Sequence, residues 1–395
     1  MENLKYPRLR FRGFSGDWLT TRVGTLGQFV GGGTPSSKHP EYWKGDIPWI
    51  SSSDINQDSI FDICVTRHIT EEAVSNSATR VVPARSVLVV SRVGVGKVAV
   101  NEEELCTSQD FTNIIPSHAD YIFLAYLIKM NTGKLLGLNQ GTSIKGFVKS
   151  ALEGLELPIP SAGEQQKIAA FLTAVDDKIQ QLSKKKALLE KYKKGMMQQI
   201  FNQEIRFKDE NGVEYPEWEE KQLGDVAIIV MGQSPDSRSY NNNSNGMPLI
   251  QGNADLKDRT SHPRNWTSEP TKVCYPGDLI LTVRAPVGTV AKSIHHACLG
   301  RGVCSIKGTS ASIIDFLYQY LLAYEPRWAR IEQGSTFTAV SGSDIRSISI
   351  ELPSIKEQTK ITNFLSALDD KIKHVDQQVE LTKRYKKGLL QQMFV

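Results

Sequence analysis

Four short groups of residues carry side chains that could do chemistry, and two acidic pairs come first. Asp176-Asp177 and Asp369-Asp370 occupy the same place in two near-identical phrases, FLTAVDDKI and FLSALDDKI, which lie 193 positions apart. Paired carboxylates can exchange protons or hold a metal ion. Both pairs fall inside predicted helices, where adjacent residues point in different directions, and no histidine or cysteine accompanies both copies. We therefore interpret the acidic pairs as structural residues or as part of a docking surface.

The second group is glycine-rich, since Ser91–Lys97 reads SRVGVGK and resembles a phosphate-binding loop. That loop requires a glycine five residues before its Gly-Lys pair and a serine or threonine after the lysine. This chain has Ser91 and Val98 at those two places. We therefore expect the glycines to shape a turn between two strands.

The third group combines His295-His296 with Cys298 and Cys304, which are residue types that bind zinc. In the first half of the chain, the positions equivalent to the two histidines hold Glu103-Glu104. A zinc site would thus be present in one half only, and we expect the cysteines to be small buried thiols.

The fourth group, Asp236, Asp255 and Lys257, fits the loose pattern of two acids and a lysine around Mg²⁺ in nucleases. The corresponding positions of the first half include Ser36 and Asn56, so this pattern is not repeated either. A Mg-dependent nuclease stays open as an alternative, but we predict that the chain has no catalytic residues and binds no metal.

The elements that would position these residues occur twice. Residues 164–201 and 357–394 are identical at 19 of 38 positions without a gap, and Leu9–Arg12 (LRFR) recurs as Ile205–Lys208 (IRFK). The chain is therefore two copies of one unit, each with a lead-in, a body of about 140 residues and a long helix. The bodies differ strongly while the helices do not, so we expect one shared role for the helices and two versions of another role for the bodies.

Each predicted helix carries apolar residues at seven-residue intervals, which is typical of a coiled coil. Glu164 and Glu357 stand three residues after Ser161 and Ser354, as in a capping box at a helix start. If each helix leads from its own body toward the other, the two helices run antiparallel. The predicted seam consists of Ile168, Val175, Leu182, Leu189, Met196, Ile361, Leu368, Val375 and Leu389.

The bodies combine short β-branched runs, such as Ser86–Val90 and Asp278–Val283, with connections rich in Gly, Pro, Asn and Ser. This composition predicts α+β domains with long surface loops, and such loops often carry binding residues.

Composition excludes several classes of protein. The chain of 395 residues has a net charge of +4 and no apolar run long enough to span a membrane. Its first residues lack the apolar region of a secretory signal, and its five cysteines form no CxxC pair. These features predict a cytoplasmic protein with reduced thiols.

The ordered double set of motifs resembles the specificity subunit of type I restriction–modification systems. The resemblance rests on the two EQxKI…FL…DDKI…YKKG helices, on Gly45–Ile50 (GDIPWI), on Gln140–Ser143 (QGTS), and on their counterparts in the second half. It extends over nearly the whole chain.

The resemblance implies an α+β fold in which two pseudo-repeated α/β target-recognition domains are joined by two long antiparallel coiled-coil helices. It implies domain 1 at 1–160, spacer helix 1 at 161–203, domain 2 at 204–353 and spacer helix 2 at 354–395. Each domain would read one half of a bipartite, asymmetric site in double-stranded DNA. The helices would dock two methyltransferase subunits, and restriction/translocase subunits would join them. S-adenosylmethionine, ATP and Mg²⁺ would then bind to partner subunits, with no cofactor in this chain.

We predict DNA contacts from polar and basic side chains on the loops of the bodies, because these groups reach phosphates and base edges. Arg92 and Arg284 correspond between the two halves, which favours contacts to the DNA backbone there. The candidates are Lys38, His39, Lys44, Arg67, Arg92, Lys97 and Lys145 in the first body, and Arg238, Asn242, Arg259, Arg264, Arg284 and Arg301 in the second.

A different class of protein stays open at this point. The chain could be a coiled-coil adaptor or structural protein whose bodies bind protein rather than DNA. If the chain failed to bind DNA even when a methyltransferase partner is present, that result would favour this alternative.

Overall fold

The structure is a computed structural model that describes residues 6–137, 146–334 and 339–394. The chain forms two compact units, which comprise residues 1–183 with 377–395 and residues 184–376. Each unit therefore contains one body, the beginning of the long helix that follows it and the end of the other long helix.

The first unit begins with the lead-in and ends its body at the first long helix. Its strands are β1 (Leu19–Arg22), β2 (Gly27–Gly31), β3 (Ile47–Ile50), β4 (Arg67–Ile69), β5 (Val81–Val82), β6 (Val87–Val90), β7 (Val98–Val100), β8 (Leu105–Thr107), β9 (Phe111–Pro116) and β10 (Glu156–Ile159). Its helices are α1 (Glu71–Ser75), α2 (Tyr121–Met130), α3 (Thr132–Gly137), α4 (Lys149–Glu153) and the start of α5 (Ala162–Phe201), and its 3₁₀ turns are Val23–Thr25, Pro40–Trp43 and Ser52–Asp54.

The second unit follows the same order with extra short strands. Its strands are β11 (Glu219–Gln222), β12 (Ala227–Met231), β13 (Tyr240–Asn241), β14 (Met247–Ile250), β15 (Leu256–Lys257), β16 (Thr260–Ser261), β17 (Asn265–Thr267), β18 (Val273–Cys274), β19 (Leu279–Thr282), β20 (Val290–Lys292), β21 (Ala297–Leu299), β22 (Val303–Gly308) and β23 (Ser349–Leu352). Its helices are α6 (Leu223–Val226), α7 (Ile314–Gly334), α8 (Gly342–Arg346) and the start of α9 (Ile355–Met393), and its 3₁₀ turns are Ser237–Ser239 and Asn253–Asp255.

The two bodies share one sheet topology. The first contains sheets in the orders β2-β9-β6-β7 and β4-β3-β8-β5, and the second contains β12-β22-β19-β20 and β17-β14-β21-β18. The second body extends these sheets with β16 and β15 on one and with β13 on the other. The parallel pair β3–β8 recurs as β14–β21. Strong divergence in sequence has therefore left the order of strands unchanged.

The central strands explain why these segments form the core. All four residues of β6 (VLVV) and of β19 (LILT) are buried, as expected for strands that are covered on both faces. In each unit the main apolar cluster joins the body to its own long helix: Leu172 packs with the first body and Leu365 packs with the second.

The long helices pack against each other in each unit and run antiparallel. In the first unit, Asp176 of α5 contacts Lys386 of α9. In the second unit, Lys186 and Lys193 of α5 contact Asp376 and Asp369 of α9, respectively. Position numbers rise along one helix as they fall along the other, which is the antiparallel arrangement. The predicted α+β class with two antiparallel coiled-coil helices is confirmed. No helix in the described part of the chain has the length and apolarity needed to cross a membrane.

Candidate functional site

The first aspartate of each acidic pair in the repeated phrase positions the two helices against each other. Lys386 Nζ lies 2.5 Å from Asp176 Oδ1, and Tyr126 of α2 donates a hydrogen bond to the other oxygen of Asp176. In the second unit, Lys193 Nζ lies 2.6 Å from Asp369 Oδ1, and Gln319 Nε2 donates to Oδ2 at 2.9 Å. The four charged residues correspond at the 193-residue offset, so the duplication extends to individual contacts.

The lead-ins are held by a second repeated contact. Arg10 donates to both carboxylate oxygens of Glu164 at 2.7 Å, and Arg206 donates to both oxygens of Glu357 at 3.4 and 3.0 Å. Both glutamates are fully buried at the starts of α5 and α9. The hydrogen bond to Glu164 raises the pKa of Arg10 above its ordinary value. Each buried charge is therefore paired, as burial requires.

The predicted seam residues divide between the helix pair and the body cores. Ile168, Val175 and Leu389 belong to the apolar cluster of the first body, and Ile361 and Leu368 belong to that of the second. Leu182 and Val375 are buried, whereas Leu189 and Met196 are half-buried. The seven-residue pattern thus also marks where each helix packs against a globular domain.

In the first body, the DNA-contact candidates fall into two groups. Lys38, Lys44 and Arg92 are exposed. Lys97 donates to the Ser52 carbonyl at 2.8 Å and is half-buried. Arg67 is held by Asp54 in the 3₁₀ turn that follows β3.

His39, a further candidate of the first body, is exposed directly before the 3₁₀ turn Pro40–Trp43. Its Nδ1 lies 2.8 Å from Glu41 Oε1, and its ring stacks on Tyr42 with centroids 4.9 Å apart. Lys145 lies outside the described residues.

In the second body, Asn242, Arg284 and Arg301 are exposed. Arg284 follows β19 as Arg92 follows β6, so these two residues occupy equivalent turns. The structure brings neither of them into an ion pair with another described residue.

The remaining three candidates of the second body are engaged in ion pairs. Arg238 contacts Asp236 at 2.9 Å, Arg259 contacts Glu325, and Arg264 Nε lies 2.9 Å from Asp255 Oδ1. The hydrogen bond from Arg238 lowers the pKa of Asp236.

The motifs that suggested catalysis are used for structure. Ser91–Lys97 forms the turn between β6 and β7, where Gly94 and Gly96 have φ values of 86° and 99°. These angles favour glycine, as a strand-connecting turn requires.

The residues of the zinc and nuclease patterns are likewise buried or engaged in ordinary hydrogen bonds and ion pairs. His295 Nδ1 lies 2.7 Å from Ser261 Oγ, and Cys298 and Cys304 are buried in β21 and β22. Asp236 and Asp255 are each paired with an arginine. The described residues include no group of three or more His, Cys, Asp or Glu side chains that could hold a metal ion.

One polar cluster escaped the sequence analysis. Lys129 of α2 borders a cavity of about 800 Å³ in the first unit that Asp58, Tyr126 and Lys387 also line. Its Nζ is buried without a hydrogen-bond partner among the described residues, and burial lowers its pKa to about 8. The surrounding sequence, YIFLAYLIKM, is so apolar that it predicts only a buried helix.

A repeated apolar pair on the helices was also missed. Leu188 and Tyr192 of α5 are exposed, and so are Leu381 and Tyr385 of α9 at the same 193-residue offset. Residues four apart lie next to each other on one helix face. The signal was present in the sequence as two copies of one apolar pair in a lysine-rich segment.

The comparisons with known proteins agree with this duplicated architecture. The family model of the type I restriction modification DNA specificity domain matches residues 15–191 and 215–383. A putative type I restriction enzyme MjaX specificity subunit of Methanocaldococcus jannaschii is 32% identical over 313 residues, with 75% of this chain and 73% of the relative covered.

Two solved structures extend the similarity to the fold. One chain, from a structure on complex assembly and conformational transition of the type I R-M system, is 25% identical with a TM-score of 0.63 and 95% of each chain covered. The S subunit of a type I restriction–modification system from M. genitalium has a TM-score of 0.64 at 14% identity, with 99% of each chain covered. With two family matches that follow the two copies of the repeat, the chain belongs to the family of type I restriction–modification DNA specificity subunits.

Proposed function

We propose that residues 1–160 and 204–353 are target-recognition domains that each read one half of a bipartite, asymmetric DNA site. The chain is the non-catalytic subunit that gives a type I restriction–modification complex its DNA sequence specificity. The observation that carries the proposal is the contrast between the repeated helix contacts and the diverged bodies. The helices offer two equivalent docking positions for partner subunits. The two bodies carry different side chains, and these select different bases.

The DNA-contact residues in this proposal are the exposed candidates on the loops. Arg92 and Arg284 lie on equivalent turns in the two bodies, and a guanidinium there can bind a phosphate in either half-site. Lys38, Lys44 and Arg301 add positive charge on other loops. Contacts to phosphate fix the position of a protein on the duplex, and loss of one contact weakens binding to every sequence.

The helices, at 161–203 and 354–395, act as spacer and docking surface in the proposed complex. Leu188 with Tyr192 in the second unit, and Leu381 with Tyr385 in the first, form two equivalent exposed apolar pairs. Exposed Tyr and Leu side chains on one helix face suit an amphipathic helix of a partner. Two equivalent pairs support two methyltransferase subunits per chain.

Substitution of the two tyrosines tests this stoichiometry. We expect the parent chain to bind two methyltransferase subunits, Tyr192→Ser and Tyr385→Ser to bind about one each, and the double variant to bind none, as measured by native mass spectrometry. Leu19→Ser is the matched control because Leu19 is an exposed apolar residue of a body. Two bound subunits in the double variant would contradict the proposed surface.

The remaining chemistry belongs to partner subunits in this proposal. S-adenosylmethionine would bind to the methyltransferase subunits, and ATP with Mg²⁺ to the restriction/translocase subunits. The cytoplasmic location, predicted from the reduced cysteines, is where such a complex would meet DNA. Methylation of DNA by the complex without this chain would contradict the assignment of specificity to it.

A further inference from the structure

Both bodies contain an arginine that is clamped by an aspartate at the same point of the fold, and this aspartate is half-buried in the first body and buried in the second. Asp54 lies in the 3₁₀ turn after β3, and Asp255 lies in the 3₁₀ turn after the equivalent strand β14. Arg67 belongs to β4, and Arg264 directly precedes β17, which are the strands that pair with β3 and β14. The clamp recurs although the loops that contain it differ in length and sequence.

The aspartates are fixed by the backbone before they meet the arginines. Asp54 Oδ2 accepts a hydrogen bond from Ser51 N at 2.7 Å, and Asp255 Oδ2 accepts one from Gln251 N at 2.8 Å. Burial alone would raise the pKa of Asp54, but the hydrogen bonds from Ser51 and the charge of Arg67 together lower it. Each carboxylate is therefore an anchor whose orientation is set by a backbone hydrogen bond.

The arginines keep hydrogen-bond donors that their anchors do not use. Arg264 uses Nε for Asp255, and neither of its Nη groups has an acceptor among the described residues. Arg67 uses Nη2 for Asp54 and Ser51, and its guanidinium stacks on Trp49 at 4.5 Å from the ring centroid. The side chain of Arg67 is 38% exposed and that of Arg264 is 57% exposed. Each body thus presents donors whose direction is set in advance.

A clamped arginine differs in charge from an isolated one. The Asp–Arg pair has no net charge, so it adds little to the general attraction of the DNA backbone. Its free N–H groups still match acceptors in a fixed geometry, and guanine presents O6 and N7 in the major groove for an arginine. The pair therefore suits recognition of a base more than contact with a phosphate.

We propose that Arg67 and Arg264 each recognise a guanine, one in each half of the DNA site, and that Asp54 and Asp255 are the positioning residues that orient them. The proposal rests on the proposed function, because it assumes that each body reads one half-site. It separates these two arginines from Arg92 and Arg284, which form no ion pair with a described residue and which are proposed to contact the DNA backbone.

The test selects bound duplexes from a randomised DNA library with the complex of this chain and its methyltransferase subunits. The variants are Arg264→Ala and Asp255→Asn, with Arg284→Ala as the matched control in the same body. Arg264→Ala and Asp255→Asn are expected to lose between about 5-fold and 150-fold of the preference for guanine at one position of one half-site. The dependence of affinity on salt should stay that of the parent. Arg284→Ala should weaken binding to all sequences and reduce the salt slope by about one.

The outcomes separate the two levels of the argument. A parent complex that selects no split site contradicts the proposed function itself. A parent that selects a split site, together with Arg264→Ala that keeps every base preference or weakens all sequences equally, overturns the proposed guanine contact. Asp255→Asn tests whether Asp255 orients Arg264. A lower melting temperature with unchanged base preference would show that Asp255 acts on stability alone. Arg67→Ala and Asp54→Asn should repeat the result in the other half-site.

Discussion

The contact between Asp176 and Lys386 should contribute more to stability than its repeat, Asp369 with Lys193. Lys386 and Asp176 are only 8% and 12% exposed, whereas Asp369 is 42% exposed. Loss of one partner from a buried ion pair costs about 3–5 kcal/mol, because the other charge stays buried without a partner. Water can reach Asp369, so the loss of its lysine should cost less, about 1.5–3 kcal/mol.

The perturbation is Lys386→Met compared with Lys193→Met. For a unit of about 200 residues, 1 kcal/mol corresponds to about 2–4 °C in melting temperature. Lys386→Met should therefore lower the melting temperature of the first unit by about 6–20 °C, and Lys193→Met should lower that of the second unit by less. Differential scanning calorimetry measures both transitions. Lys383→Met is the control, because its pair with Glu380 is exposed and contributes at most about 1 kcal/mol.

A double variant decides whether the buried charge causes the loss. Asp176→Leu combined with Lys386→Met removes both charges, and apolar replacement of a buried pair is often neutral. We expect the double variant to recover a large part of the stability lost in Lys386→Met. Equal losses for Lys386→Met and Lys193→Met, or no recovery in the double variant, would refute the reasoning.

Two further stability predictions follow from buried charges in the first unit. The pKa of Lys129 is lowered to about 8 in the folded chain from an ordinary 10.5, so the unfolded chain binds more protons between these values and stability should rise with pH there. Lys129→Met should remove that rise in urea unfolding measured from pH 8 to 10; an identical pH profile for parent and variant would contradict the burial of this amine. Arg10→Met leaves the buried carboxylate of Glu164 unpaired and should destabilise the first unit by about 3–5 kcal/mol, whereas Arg8→Met, at an exposed neighbour, should change it by less than about 0.5 kcal/mol; equal effects would argue against the ion pair.

The sequence predicted the helices well because their signal is local and repeated. Leu182 and Val375 each lie seven residues from another apolar residue of the same helix, and this spacing is set by helix geometry alone. The antiparallel direction followed from the position of each helix after its own body. The pattern could not show that Ile168 and Ile361 also pack against the bodies, because a buried residue has the same apolar character in either environment.

The sheets and the polar contacts could not be predicted from the sequence. Strand order depends on contacts between segments that are far apart in the chain, and the short strands carry little signal of their own. Arginines were selected as DNA contacts by residue type, and residue type does not distinguish exposed Arg284 from Arg259, which pairs with Glu325. Asp255 was selected only as a member of a loose nuclease pattern and Asp54 was not selected, because the backbone donors that orient them become visible only in three dimensions.

The most direct test of the central claim exchanges one body and reads the DNA site. Trp18–Leu157 would be replaced by the corresponding body of a related specificity subunit, and the variant would be expressed with its methyltransferase subunits. Sequencing that detects methylated bases then gives the recognised motif for parent and variant. We predict that one half of a split motif changes while the other half stays the same. A change in both halves, or an unchanged motif, would contradict the claim that each body reads one half-site.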